Sequence, residues 1–231
     1  RTLLGDRVQN HKPLAYLLGS AHFCSLLLKV RPPVLIPRPE TEFLVEKLIE
    51  EIRELPTLRI LDLCTGSGCI ALALAHHLPQ SSVIGIDIDQ EAIALANQNK
   101  SALELQNVHF IHGNLFDPVA GQSFDLIVSN PPYLAQAEWL ALSPDVKNWE
   151  SSLALSSGAS GLEFYEKIIA NAPAFLSGKY RTQEKTELAL EYGHTQREAV
   201  EAILAKSGFC AQNHLVDLFG KERGSFARQL I

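Results

Sequence analysis

The sequence predicts an α/β domain built on a mostly parallel sheet with helices on both faces. Three observations carry that prediction. From Leu58 onward, short apolar runs alternate with helical stretches, the spacing of strand–helix–strand crossovers. The first run leads into a glycine turn, Cys64-Thr65-Gly66-Ser67-Gly68. The residues with the most distinctive chemistry each fall just after a strand, where sheets of this kind bind their ligands.

Taken in order, residues 1–20 mix polar and apolar types and read as the tail of a helical element. Phe23 to Ile36 is rich in Leu and Val, with Pro32-Pro33 inside, and suggests a short hairpin. Thr41 to Glu54 places Phe43, Leu44, Leu48, Ile49 and Ile52 at helical spacing, an amphipathic helix. Leu58–Leu63 is a buried-strand pattern, Ile70–His77 a helix stopping before Pro79, and Ser82–Asp87 a second strand ending in an acid. Gln90–Ala102 is helical, Val108–His112 a third strand, and Phe124–Ser129 a fourth running straight into Asn130. Leu162–Phe175 reads as helix, Glu187–Glu191 as strand and Thr195–Ser207 as helix. Two strands around Gly220-Lys221-Glu222-Arg223-Gly224 complete the chain.

Composition narrows the class. With 231 residues and 46% hydrophobic content the chain supports one substantial core. No apolar run approaches the roughly 20 residues of a membrane span, and no basic-plus-apolar leader opens the chain. The chain holds no Met, so the expectation is that it begins inside a longer protein. Cys24, Cys64, Cys69 and Cys210 show no zinc or redox spacing and read as free thiols of a reducing, cytoplasmic compartment. The net charge of −6 argues against stable binding to a nucleic-acid backbone.

The glycine turn follows the first strand and opens a helix. Gly66 and Gly68 permit a tight turn and close approach of a ligand to the backbone, and the helix start favours a carboxylate or phosphate. The third glycine of a dinucleotide fingerprint is missing, which favours a smaller nucleoside over NAD. Asp87, 19 positions after Gly68, is placed to accept from both ribose hydroxyls; its competing reading is a helix cap shared with Asp89. Gly113-Asn114-Leu115-Phe116 follows the third strand, where adenine would lie. Taken alone it is an ordinary loop.

Asn130-Pro131-Pro132-Tyr133 ends the fourth strand. Two prolines fix the backbone and hold it extended. The Asn130 side-chain oxygen and the Pro131 carbonyl are two acceptors that suit the two donors of an NH2 group. Held this way, a planar amide or amine turns its lone pair towards an electrophile, and the Tyr133 ring can cover the flat face of the substrate. A sulfonium methyl in line completes the displacement, mostly through positioning and electrostatics. The competing reading is a rigid turn. His76-His77, at a helix end, is expected to meet the terminal carbonyls.

Together these residues resemble the HemK/PrmC family, the protein-glutamine methyltransferases of peptide release factors. Besides the glycine turn, Asp87 and Asn130–Tyr133, the resemblance rests on Lys12–Gly19, Leu35–Glu42, and the stretch from Trp149-Glu150 to Gly161-Leu162. Asn-Pro-Pro-Tyr alone is shared with enzymes that methylate exocyclic amines of DNA and RNA bases; Arg38 to Glu42 favours the release-factor enzymes. The resemblance implies a class I methyltransferase fold: a Rossmann-like, seven-stranded, mostly parallel sheet with the last strand antiparallel. It implies residues 1–20 as the remnant of an N-terminal helical domain, 21–54 as hairpin and linking helix, and 55–231 as the methyltransferase domain.

S-adenosylmethionine is the implied cofactor. Cys64, Thr65, Gly66, Ser67 and Gly68 would meet its methionine part, Asp87 its ribose, Leu115 its adenine neighbourhood and Asn130 both cofactor and substrate. Asn130, Pro131, Pro132, Tyr133 and Arg38 would hold the glutamine of the release factor's Gly-Gly-Gln loop, with Asn130, Pro131 and Tyr133 closest to the chemistry. The runner-up is a base methyltransferase using the same grip on a flipped base. A nicotinamide-binding sheet protein is a third reading, and it requires no particular role for Asn130. Three positions depart from the family pattern: Cys64 stands where Gly is usual, Asn114 where Asp is frequent, and Ser151 where Pro is usual.

Overall fold

The computed structural model describes Gly5, Arg7 and residues 10–230. Most of residues 1–9, and with them much of the expected helical remnant, lie outside the described residues. A short helix α1 (Leu14–Leu18) leads into a hairpin of β1 (Ser20–Phe23) and β2 (Leu26–Lys29). The expected hairpin over 23–36 is therefore displaced towards the N-terminus. Its turn is Cys24-Ser25, both left-handed at φ 46° and 65°, the geometry that a two-residue hairpin loop demands. The Cys24 amide donates to Glu42 Oε1 at 2.6 Å, tying this non-glycine turn to the next helix. Residues 31–36, with a cis Pro32-Pro33 bond, form a turn instead of a strand, because proline removes the ladder donor.

Helix α2 (Pro39–Ile52) starts two residues earlier than its apolar spacing suggests, with Pro39 in the first turn, where a missing N–H costs nothing. It buries Thr41, Leu44, Val45, Leu48 and Ile52. Next come β3 (Arg59–Leu63), α3 (Cys69–His77), β4 (Ser82–Asp87), α4 (Gln90–Ala102), β5 (Val108–His112) and β6 (Leu126–Ser129). Three short helices with no strong periodicity, α5 (Gln136–Leu140), α6 (Pro144–Lys147) and α7 (Ser152–Leu155), precede α8 (Glu163–Asn171). The chain closes with β7 (Leu188–Glu191), α9 (Arg197–Lys206), β8 (Phe209–Val216) and β9 (Glu222–Gln229). The last turn is Asp217–Lys221, so Glu222-Arg223-Gly224 belongs to β9 and not to the turn.

The seven strands run in the order β5-β4-β3-β6-β7-β9-β8. Neighbours from β5 to β7 are parallel, and β9 is antiparallel to both β7 and β8. Period-two alternation sorts the strand residues onto two faces. Ile60, Val83, Leu126, Val128, Ala189 and Phe226 join one hydrophobic cluster with α2 and α3. Leu61, Leu63, Ile86, Ile127, Leu188 and Leu190 join a second with α8 and α9. Phe23, Leu26 and Leu28 of the hairpin belong to the first cluster. The hairpin and α2 thus pack into the core of the sheet, while Val30 and Ile36 form a separate small cluster with Tyr16. His77 also departs from expectation: its Nε2 meets the Cys24 carbonyl of the hairpin at 3.2 Å, not the end of its own helix.

Chain order reverses at β3, where the chain runs outward through β4 and β5 and then returns to β6 on the other side. The carboxyl ends of β3 to β6 therefore open on a common crevice.

Candidate active site

Residues at these strand ends line a common cavity: Cys64 and Gly66 after β3, Asp87 on β4, Leu115 after β5, Asn130 and Pro132 after β6. Helical and loop segments supply the other walls, through Val34 and Leu35, Ser151, Leu153 and Ala154, and Phe164. Leu35 and Ser151 to Ala154 lie in stretches that carry the family resemblance, but sequence reasoning assigned none of these wall residues a place in the site.

The glycine turn is held from beneath. Buried Asp62 accepts from the Thr65 hydroxyl at 2.6 Å and the Ala71 amide at 3.2 Å. Asn99 of α4 donates to the Ser67 carbonyl at 3.0 Å and pairs with both backbone groups of Lys29. Thr65 and Ser67 are accordingly buried, and they do not line the cavity. Gly68, at φ 83°, caps α3; a Cβ there would meet Phe110 at 2.8 Å. Of the five residues expected to touch a cofactor here, only Cys64 and Gly66 face the space. At Gly66 no atom lies within 4 Å of where a Cβ would stand. Cys64 has φ 61°, a left-handed conformation that glycine adopts without strain, which gives a physical reason for the glycine usual at this position.

Burial pushes the Asp62 carboxyl up to about 7, offset in part by its two hydrogen bonds. Its Oδ1 is buried without a partner. Between roughly pH 4 and 7 the folded chain keeps a proton that the unfolded chain gives up, so this group's contribution to stability falls as pH rises. The melting temperature of the wild type is expected to drop more between pH 5 and pH 7.5 than that of Asp62→Asn. Equal slopes by calorimetry would mean that Asp62 is ionised throughout.

Asp87 is not the cap of α4. Its Oδ2 accepts from Gly66 N at 2.8 Å and its Oδ1 from Asp89 N at 2.9 Å, while the cap of α4 is Asp89, which accepts from Glu91 N. A carboxylate offers about four acceptor positions, so Asp87 retains capacity on the cavity side. Burial raises its pKa, and the amides of Asp89 and Gly66 oppose the rise. An open face at Gly66 and a partly satisfied carboxylate at the next strand end fit the ribose of S-adenosylmethionine.

At the end of β6, Asn130 Nδ2 donates to Thr41 Oγ1 at 3.0 Å. Among the described residues, no hydrogen bond is recorded to Asn130 Oδ1 or to the Pro131 carbonyl. Pro131 and Pro132 are buried and Tyr133 is half-buried. Gln196 Nε2 holds the Tyr133 carbonyl at 2.9 Å and the Gly161 carbonyl at 3.2 Å. Burial, with Glu191 adding to it, pushes the Tyr133 phenol up to about 12, so the ring is a neutral surface at ordinary pH. Pro131 and Tyr133 stand beside the cavity lining and not within it.

Arg38 is also outside the lining; its guanidinium pairs with the buried carboxylate of Glu150. Burial raises the Glu150 pKa and Arg38 opposes this. Ser151 accepts from Leu153 N as the cap of α7, and its own amide donates to the Pro33 carbonyl at 2.8 Å. Proline at this position would forgo that donor.

Comparison with known proteins agrees with this geometry. Residues 39–143 match the family model described as "Methyltransferase small domain". A release factor glutamine methyltransferase of Thermodesulfovibrio yellowstonii is 40% identical over 94% of this chain and 77% of its own length. A ribosomal protein uL3 glutamine methyltransferase of Xanthomonas campestris is 39% identical over 87% of this chain and 63% of its own length. The solved release factor-specific protein-(glutamine-N5) methyltransferase of Alicyclobacillus acidocaldarius superposes with a TM-score of 0.51 at 29% identity, covering 88% of this chain and all of that one. At 40% identity to such a relative over most of both chains, this chain belongs to the HemK/PrmC family of release factor glutamine methyltransferases.

Proposed function

We propose that this chain transfers the methyl group of S-adenosylmethionine to the side-chain amide nitrogen of the glutamine in the Gly-Gly-Gln loop of peptide chain release factors. The observation that carries the reading is Asn130, anchored through Nδ2 while, among the described residues, Oδ1 and the neighbouring Pro131 carbonyl accept no hydrogen bond. These two acceptors complement the two N–H donors of a primary amide. Relatives at about 40% identity are named as protein-glutamine enzymes, which favours a protein amide over a nucleic-acid base as the acceptor.

The cofactor supplies a methyl group made electrophilic by its sulfonium. Asp87 would hold the ribose, Cys64 and Gly66 would border the methionine part, and Leu115 would pack near adenine. Asn130 and Pro131 would bind both amide hydrogens and turn the nitrogen lone pair towards the methyl, while Tyr133 would cover the amide face. Transfer would leave the methyl on the nitrogen and S-adenosylhomocysteine as the neutral leaving group, with one amide proton passing to solvent. Holding both partners in place accounts for most of the acceleration such a site can give. Arg38, paired with Glu150, would shape the substrate entrance.

No helix of the described residues is long and apolar enough to cross a membrane. The reading includes a cytoplasmic site of action, where release factors work, and no stable nucleic-acid partner.

The test offers labelled S-adenosylmethionine with a purified release factor, with the same factor carrying Gln→Ala in its Gly-Gly-Gln loop, and with ribosomal protein uL3. Label on the intact factor alone is the expected result. Label on uL3 alone would move the substrate, and label on none of the three would overturn the reading.

A further inference from the structure

Glu191 is a buried carboxylate that the chemistry above does not use. It ends β7, and the register pairs Ser129 with Leu190, so Asn130 and Glu191 emerge side by side at the carboxyl ends of adjacent parallel strands. Its side chain is 2% exposed, and Oε2 is buried without a hydrogen-bond partner. A charge placed so costs stability unless it serves a purpose or is relieved by protonation. Thr41 of α2, itself 3% exposed, accepts from Asn130 Nδ2, and its hydroxyl opposes the burial-driven rise of the Glu191 pKa.

We infer that Thr41 and Glu191 form a positioning relay that fixes which way round the Asn130 amide points, and so keeps its oxygen turned to the substrate. The inference rests on the proposed role of Asn130. The logic is that of donors and acceptors. A threonine hydroxyl has one proton. When Glu191 is ionised it accepts that proton's hydrogen bond, leaving Thr41 Oγ1 to accept from Asn130. Asn130 must then offer Nδ2 to Thr41, and Oδ1 is left for the substrate NH2. If Glu191 is protonated it can donate to Thr41 instead. The threonine proton is released towards Asn130, which favours its Oδ1. The amide then turns over and meets the substrate donors with donors of its own.

Burial pushes Glu191 up to about 7, with Thr41 opposing the rise, Glu40 adding to it, and Arg223 and Arg38 opposing it. Tyr133 and Cys69 also face this carboxylate, and the Tyr165 hydroxyl donates to its backbone carbonyl. Of these neighbours, Tyr133 is pushed up to about 12 and Cys69 likewise to about 12. Neither changes charge near neutrality. Glu40 is tied up with Arg223, which also pairs with Asp217.

Two variants test the relay. Thr41→Val keeps shape and removes the hydroxyl; kcat is expected to fall about 10-fold or more with cofactor affinity unchanged, and Thr41→Ser to restore it. Glu191→Gln keeps a neutral acceptor for the Thr41 proton and removes the ionisation. The side-chain NH2 resonance of Asn130, followed by 15N NMR, is expected to titrate with a midpoint of about 7 in the wild type and to stay still in Glu191→Gln. This second reading needs no turnover, so it judges the relay even if the proposed substrate is wrong. A Thr41→Val chain within twofold of wild-type kcat, or an Asn130 resonance that titrates alike in wild type and Glu191→Gln, would overturn the inference.

Discussion

Asn130→Ala is expected to lower kcat by about 10²-fold or more, the loss seen when one preorganised group that acts on the transition state is removed. The affinity for S-adenosylmethionine should change by less than a few-fold, because the glycine turn, Asp87 and Leu115 are untouched. The reason is the division of work in the crevice. Asn130 shares its wall with the proposed cofactor residues, and among the described residues its side chain donates from Nδ2 to Thr41 while Oδ1 accepts no hydrogen bond. Removing the side chain deletes an acceptor for the substrate and also strands Thr41. Single-turnover rates beside calorimetric cofactor titration separate these effects. A variant that turns over near the wild-type rate would sink the mechanism, whereas one that loses cofactor binding in proportion would make Asn130 a cofactor residue only.

Asp87→Ala is expected to show the opposite pattern. Hydrogen bonds to a charged group contribute about 1.5–3 kcal/mol each, and a ribose has two hydroxyls to donate. Part of that is recovered by water, so a loss of about 3 kcal/mol, roughly 10²-fold in Kd, is the expected result. The Gly66 amide also loses the carboxylate that orients it, which adds to the loss by loosening the turn. At saturating cofactor, kcat should stay within a few-fold of wild type. Isothermal titration with S-adenosylmethionine and with S-adenosylhomocysteine, which share the ribose, should show equal losses for both. Unchanged affinity for either would remove the ribose role and return Asp87 to holding the Gly66 and Asp89 amides.

Much of the fold was legible because its determinants are local. The alternation in Ile60–Leu63 and Leu126–Ser129 sorts each strand onto two faces without reference to any distant residue. Ser82–Asp87, Gln90–Ala102 and Val108–His112 begin and end where strand pattern, the Asp89 cap and the loop residues dictate. The hairpin was misplaced because Cys24-Ser25 is a left-handed turn made from residues that do not announce one. Its stability comes from Glu42, 18 positions away.

The site divides in the same way. Sequence alone determined that Asn130-Pro131, Asp87 and Gly66 stand at strand ends, since the pattern already marks where each strand stops. Only the tertiary structure decided that Thr65 and Ser67 turn inward onto Asp62 and Asn99, that Arg38 is paired with Glu150 from 112 positions away, and that Thr41 holds Asn130 across 89. Helical periodicity identifies the buried face of α2, but it treats a buried Thr41 as a break in the apolar stripe and says nothing of the group it meets. Glu191 was likewise an unremarkable end to a strand. Its meaning comes from the register that sets it beside Asn130, and register between strands distant in sequence is fixed by packing across the whole sheet, not by the residues of either strand alone.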